Sequence, residues 1–189
     1  MALGDGTTED ALDLQLQVSK MSNEEIEAKI YELKHNGKKM LPKPTEVELA
    51  YAAGIVDGEG YVGIKCSERE KEQKSRSHRV YLSVGNTDER MVKFLNDKFG
   101  GTYYYAERGS SSPNAKPMYT WKLSAISAVT FLKQVLPYLI TKKERAEIAI
   151  KFQDTISNAN KAKGITEELL EIRDAYMGEM FRLNKKGVA

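Results

Sequence analysis

Between Tyr61 and Ser67 the chain alternates, with Val62, Ile64 and Cys66 on one side and Tyr61, Gly63, Lys65 and Ser67 on the other. That period of two is the mark of a half-buried strand. Val80, Leu82 and Val84 against Arg79, Tyr81 and Ser83 repeat it, and the polar, charge-rich stretch from Glu68 to Ser77 makes the turn. The two runs therefore predict a hairpin with a long tip. A second hairpin is predicted from Tyr103-Tyr104-Tyr105 to Tyr119-Thr120-Trp121-Lys122-Leu123, around a Ser/Pro/Asn-rich tip. Tyr104 is expected in the core, with Tyr103 and Tyr105 facing outward.

Helical signals surround these strands. Thr45 and Glu48, just after Pro44, form a T-x-x-E capping box that opens a helix running to about Asp57. Thr87 or Asp88 caps a helix carrying Met91, Phe94, Leu95 and Phe99, which Gly100-Gly101 terminates. Further helices are expected at about Ala125 to Leu136, Lys142 to Ser157 and Thr166 to Leu183. Near the start, an amphipathic helix from about Asn23 to His35 aligns Ile26, Ile30 and Leu33, with Ser22 as N-cap and Glu25 completing the box. Asn36-Gly37 stops it, and Lys38 to Pro44 reads as a linker. Before Ser22, Leu12, Leu14, Leu16 and Val18 alternate with polar residues, a pattern a disordered tail fits equally well.

This order of helix, hairpin, helix, hairpin and helices predicts an α+β fold with one antiparallel sheet. The expected organisation is an N-terminal extension, residues 1–44, and one main domain, residues 45–189. Helices must cover one face of the sheet. The other presents Tyr61, Lys65, Ser67, Arg79, Tyr81, Thr120 and Lys122, which suits either a large partner or an ordinary solvated face.

Composition narrows the setting. Cys66 is the only cysteine, so an intrachain disulfide is excluded and a structural zinc site would lack its usual thiolates. His35 and His78 have no metal-binding spacing and read as incidental. No run of about 18 apolar residues occurs and the N-terminus is polar and acidic, so a soluble, intracellular protein with no membrane partner and no signal peptide is expected. The net charge of +2 hides an asymmetry: residues 1–60 carry a net −6, residues 61–122 a net +5 and residues 123–189 a net +3. A basic middle fits a phosphate-facing surface, and it fits ordinary loop charge as well.

The segment Ala52-Ala53-Gly54-Ile55-Val56-Asp57-Gly58-Glu59-Gly60 is unusual, because small residues crowd the end of a helix and two acids follow. Ala50, Gly54 and Gly58 recur every four residues and line one stripe, where another helix can approach closely. Gly58 and Gly60 are expected to bend the chain from helix into strand, leaving Glu59 at the junction. The segment resembles the motif of the LAGLIDADG homing endonucleases: Gly54, Asp57 and Gly60 are identical, and Ala53, Ile55, Val56, Gly58 and Glu59 are conservative or commonly seen replacements. The resemblance spans about Thr45 to Ser157. Leu136-Pro137-Tyr138-Leu139-Ile140-Thr141-Lys142 also resembles the family segment that delivers a lysine to the catalytic site. The chain departs from the family in carrying Glu rather than Asp at 59, Tyr51 and Ala52 in place of the leading apolar residue, and an N-terminal extension.

What the resemblance implies is a homing-endonuclease-like fold whose antiparallel sheet forms a DNA-binding saddle with helices packed on the other face. Only one motif copy is present, so a second subunit must supply the other half, giving a homodimer through Ala50, Ala53, Gly54, Asp57 and Gly58. Asp57 is expected to be structural, bonding backbone amides at the dimer seam. Glu59, with the Gly58 carbonyl, is the implied ligand of Mg2+ or another divalent cation, which relieves the repulsion of two carboxylates at the axis. Lys142 would stabilise charge at the phosphate, with Lys143 as the neighbouring alternative, and Asn86 would position water. DNA contacts are expected from Tyr61, Lys65, Ser67, Arg79, Tyr81, Ser83, Tyr103, Tyr105, Thr120 and Lys122, with Lys71, Lys74 and Arg76 as phosphate anchors. The implied activity is metal-assisted hydrolysis of double-stranded DNA at a long, pseudo-palindromic site by an intron-encoded type of nuclease. A non-cleaving DNA-binding regulator or an RNA intron maturase on the same scaffold is the alternative.

Overall fold

The computed structural model describes residues 16–17, 19–34, 41–68, 76–107, 116–157 and 165–185. The chain divides into two compact units, Met1–Pro42 and Lys43–Ala189. In the first, helix α1 (Asn23–Lys34) begins with a reciprocal cap. The Glu25 amide donates to Ser22 Oγ at 3.2 Å and the Ser22 amide to Glu25 Oε2 at 2.8 Å, satisfying two donors that a helix N-terminus leaves open. The expected stop at Asn36-Gly37, and Leu12, Leu14 and Val18, lie outside the described residues.

The second unit runs α2 (Glu46–Glu59), β1 (Gly60–Glu68), β2 (Arg76–Asn86), α3 (Glu89–Phe99), β3 (Thr102–Ala106), β4 (Met118–Ser124), α4 (Ala125–Val135), a 3-10 turn (Leu136–Tyr138), α5 (Lys143–Ser157) and α6 (Glu167–Asn184). The strands form one antiparallel sheet in the order β1-β2-β4-β3. The predicted α+β architecture is thus the observed one. Its first hairpin is longer in strand than the alternation alone suggested, since β2 already begins at Arg76, opposite Glu68.

One face of the sheet is filled by Val62, Ile64, Val80, Leu82, Val84, Trp121 and Leu123, all buried against Val92 and Leu95 of α3, Ala128 and Leu132 of α4, and Ala149 and Phe152 of α5. Edge-to-face ring contacts link Phe94 to Phe99, Phe99 to Phe131 and Phe131 to Trp121. The buried indole is satisfied, because Trp121 Nε1–H donates to the Gly100 carbonyl at 2.6 Å.

Helix α6 is tied along its length. Arg173, 3% exposed, donates to the Thr155 carbonyl at 2.7 Å, placing a cation at the carbonyl-rich end of α5. Its neighbour Asp174 pairs with buried His78 of β2 at 2.9 Å. The fold thus gives His78, which its sequence context marked as incidental, a structural partner on a distant helix.

Helix α2 delivers the motif segment. Thr45 caps it as predicted, with the Glu48 amide donating to Thr45 Oγ1 and the Thr45 amide to Glu48 Oε2. The helix continues to Glu59, two residues beyond the expected end, so Gly58 is helical and the turn into β1 is made at Gly60. A Cβ on Gly60 would stand 2.5 Å from the Val56 carbonyl oxygen, which only glycine avoids.

Candidate active site and nucleic-acid interface

Helix α2 has two unlike sides. Ala52, Ala53, Ile55 and Val56 are buried in the chain's own core, whereas Val47, Ala50, Tyr51, Gly54 and Gly58 face outward. Val47 is 78% and Tyr51 53% exposed, and a Cβ built at Gly54 or Gly58 would meet nothing within 4 Å. The small-residue stripe is therefore open along Ala50, Gly54 and Gly58. Ala53 is not part of it. It sits one position off the stripe and is fully covered within the chain, which corrects its expected place at a subunit contact.

At the end of this helix Asp57 clamps the segment between the 3-10 turn and α5. Its Oδ2 accepts from the Ile140 amide at 2.7 Å, and its Oδ1 from the Lys142 amide at 2.9 Å and the Thr141 hydroxyl at 3.1 Å. Burial opposes ionisation, but those amides and the hydroxyl outweigh it and hold the Asp57 pKa below its ordinary value. Asp57 thus spends its carboxylate on backbone amides and a hydroxyl. Its backbone partners, however, lie in its own chain rather than across a subunit seam.

The same segment folds Lys142 back onto the helix end, where Nζ donates to the Asp57 carbonyl at 2.5 Å. Burial pushes the Lys142 pKa down, Arg145 adds to that, and the charges of Asp57 and Glu59 act against it. Glu59 is exposed on the last helical residue, so its charge and that of Lys142 occupy one locality. Lys143, the first residue of α5, is exposed. Asn86 ends β2 with its amide oxygen accepting from the Asp88 amide at 2.8 Å, which shapes the turn into α3.

The second surface is the uncovered face of the sheet. Strand alternation brings Tyr61, Lys65, Arg79, Tyr81, Ser83, Thr120 and Lys122 onto it together. The Tyr61 ring lies over Gly63, where a Cβ would stand 2.6 Å from Cε1, and its centroid is 6.4 Å from that of Tyr81. Lys65 Nζ sits 3.6 Å from the Tyr81 ring centre, and Lys122 Nζ 4.4 Å from that of Tyr104. Both contacts are cation–π pairs. Ser67 and Arg76 belong to β1 and β2, while Lys71 and Lys74 lie outside the described residues.

Strand β3 reverses the expected phase. Tyr104 is 47% exposed and shares the open face with its pair Thr120, whereas Tyr103 and Tyr105 pair with Trp121 and Tyr119 on the helix side. Tyr103 donates its hydroxyl to Glu89 at 2.8 Å, and burial with that bond pushes its pKa up to about 12. Tyr105, at the strand's end, stays 56% exposed with its ring 5.2 Å from Tyr119. Tyr104, not Tyr103 or Tyr105, is thus the tyrosine of this strand on the uncovered face.

Among the described residues, no three His, Cys, Asp or Glu side chains gather as a metal-ligand set. No described helix is long and apolar enough to cross a membrane.

A four-stranded antiparallel sheet covered by helices on one face, with a small-residue helix leading into its first strand, is the fold shared with solved LAGLIDADG homing endonucleases. The homing endonuclease I-CvuI, seen in complex with DNA in the presence of Mg, matches at a TM-score of 0.60 and 20% identity over 76% of this chain and 87% of its own. The archaeal intron-encoded I-Vdi141I, complexed with DNA, matches at 0.60 and 14% over 76% and 87%. The LAGLIDADG homing endonuclease I-LtrWI, bound to target DNA, matches at 0.54 and 17% over 76% of this chain but 46% of its own. No protein-family model and no curated protein matches the sequence.

Proposed function

We propose that this chain is a sequence-specific, divalent-metal-dependent endonuclease for double-stranded DNA that works as a homodimer joined through the outer stripe of α2. The observation that carries this reading is the exposed helix face at Ala50, Gly54 and Gly58, which ends on exposed Glu59 with Lys142 held beside it. The alignment supports it, because the chain accounts for most of I-CvuI yet 46% of the longer I-LtrWI, as one half of a two-part enzyme would. A second copy supplies the other half.

The donor chemistry fits a hard cation. Glu59 presents a carboxylate, and the Gly58 carbonyl lies in the last helical turn, where carbonyls lack an onward helical donor. Asp57 is already engaged by residues 140–142 and is not the ligand. One chain offers too few oxygens for a complete shell, so Glu59 and the Gly58 carbonyl would hold the cation together with oxygens from the partner copy and DNA phosphates. A bound Mg2+ supplies charge neutralisation at the phosphate and activation of water. Lys142 adds a positive charge at the scissile phosphate, and Asp57 keeps its backbone in place. The open sheet face, with Lys65, Arg79 and Lys122 among Tyr61, Tyr81 and Tyr104, enters the major groove. Two identical subunits imply a long, roughly palindromic target.

Joining the two DNA flanks of the gene gives a candidate uninterrupted target. In Mg2+ the wild-type protein is expected to linearise a plasmid carrying that sequence, and Glu59→Gln to bind the same duplex without cutting it. Binding with no nicking by either protein would instead mean a regulator or an RNA maturase. A monomer on the bound duplex would overturn the dimer.

A further inference from the structure

We infer that Arg145 and Asn184 form a positioning pair that holds Lys142 in register with Glu59, an inference that rests on the nuclease reading above. The two site residues come from distant parts of the chain, Glu59 from the end of α2 and Lys142 from the segment before α5. Asp57 fixes one side of their relation. The other side is closed by a circuit of hydrogen bonds that runs through α6.

The guanidinium of Arg145, in the first turns of α5, points in three directions. Nη1 donates to the Thr141 carbonyl at 3.0 Å, immediately before Lys142. Nε donates to Asn184 Oδ1 at 3.1 Å, and Nη2 to the Leu183 carbonyl at the end of α6. Asn184 uses its remaining polar atom, Nδ2, to donate to the Val62 carbonyl at 2.9 Å. Val62 lies in β1, an edge strand of the sheet, just past Glu59. Outward carbonyls of an edge strand have no neighbouring strand to bond, so a side-chain donor fixes this one.

The circuit therefore runs from Glu59 along β1 to Val62, across Asn184 and Arg145 to Thr141, then through Lys142 to Asp57 and back along α2. Arginine suits the junction because its planar fork serves several acceptors at set angles, which a lysine ammonium on a flexible stem does not. Asn184 contributes an acceptor to one neighbour and a donor to the other. Neither residue lies on the open sheet face, so both act on the site through other groups.

The test separates rate from binding. On the joined-flank duplex, Arg145→Met and Asn184→Leu are expected to slow single-turnover cleavage about tenfold to a hundredfold, the scale of a small misplacement of a reacting group, while Kd changes less than about twofold. Arg145→Lys, which keeps the charge, should remain slow. Asn184→Asp, which keeps the acceptor for Arg145 but loses the donor to Val62, should fall between wild type and Asn184→Leu. Arg173→Met is the control for general loosening of α6: it should lower Tm yet leave cleavage of bound DNA within about twofold of wild type, because Arg173 is outside the circuit. Cleavage at the wild-type rate by both Arg145→Met and Asn184→Leu overturns the inference, as does a slowing by Arg173→Met equal to theirs. If wild type itself leaves the duplex intact, the nuclease reading fails, and the positioning is judged by the NMR titration of the Lys142 ammonium. Uncharged Asn184→Leu is expected to displace that titration, and an unmoved Lys142 in both variants overturns the pair.

Discussion

On the covered side of the sheet Val80, Leu82 and Val84 are fully buried, and the helices of the same chain supply their neighbours. One residue away along the same strand, Arg79 stays exposed and Tyr81 and Ser83 half-covered, with Lys65 stacked on the Tyr81 ring. The two sides arise from one alternation but are completed differently, the first by tight packing and the second by lysines resting on tyrosines. Such cation–π contacts contribute only about 0.5–1 kcal/mol at exposed sites, so phosphate or a base edge can displace them while the side chains stay extended and ordered. The covered side carries stability, and the open side carries recognition in the proposed function.

The sharpest way to break this division is Leu82→Ala, which empties a fully buried site on the central strand β2 and should cost about 2–5 kcal/mol in urea unfolding. A loss below about 1 kcal/mol would mean that the covered face is not the core. Next comes Asp57→Asn, expected to cost about 1–3 kcal/mol because it replaces one of the two carboxylate acceptors with an NH2 donor that faces an N–H of residues 140–142. Its pH dependence gives the sign. The folded pKa of Asp57 lies below the ordinary 3.8, so its stabilisation is fully present above that value and is lost as pH falls through the lower folded value. Wild type should therefore lose stability relative to the Asn variant across that acidic window, and parallel curves would deny Asp57 its role. The smallest effect on folding belongs to the open face: Lys122→Met should shift stability by no more than about 0.5 kcal/mol while lowering the salt dependence of DNA binding by about one counterion. An unchanged salt slope would place Lys122 away from phosphate.

Much of this division is legible along the chain, since apolar and polar residues alternate clearly in β1, β2 and β4. Strand β3 is the exception for a physical reason. Tyr103, Tyr104 and Tyr105 are identical, so no hydrophobic contrast sets their phase, and the sides are decided by pairing with β4 and by the bond from Tyr103 to Glu89. At α2, the four-residue spacing picks out Ala50, Gly54 and Gly58, but smallness alone does not separate them from Ala53, which turns inward by one helical position. The partners of Asp57 lie 83 to 85 residues away, and that of His78 lies 96 away, distances over which local pattern carries no information. His78 shared the parity of Val80 and Leu82, and that was the available sign of its burial. Arg145 and Asn184 gave no such sign, because both sit among charged and polar helix residues whose role depends on which chain segment packs nearby.

The bare glycines of α2 place an odd demand on the lone subunit. Inside a helix glycine is less favourable than alanine by about 1 kcal/mol, and nothing in the same molecule would collide with a methyl group at Gly54 or Gly58. An isolated chain would be sturdier with alanine at either place, so in the proposed dimer the bare hydrogen there serves the partner copy rather than the subunit that carries it. Swapping in alanine thus pits the two interests against each other: a monomer that melts later, and an assembly pushed apart by the width of a methyl.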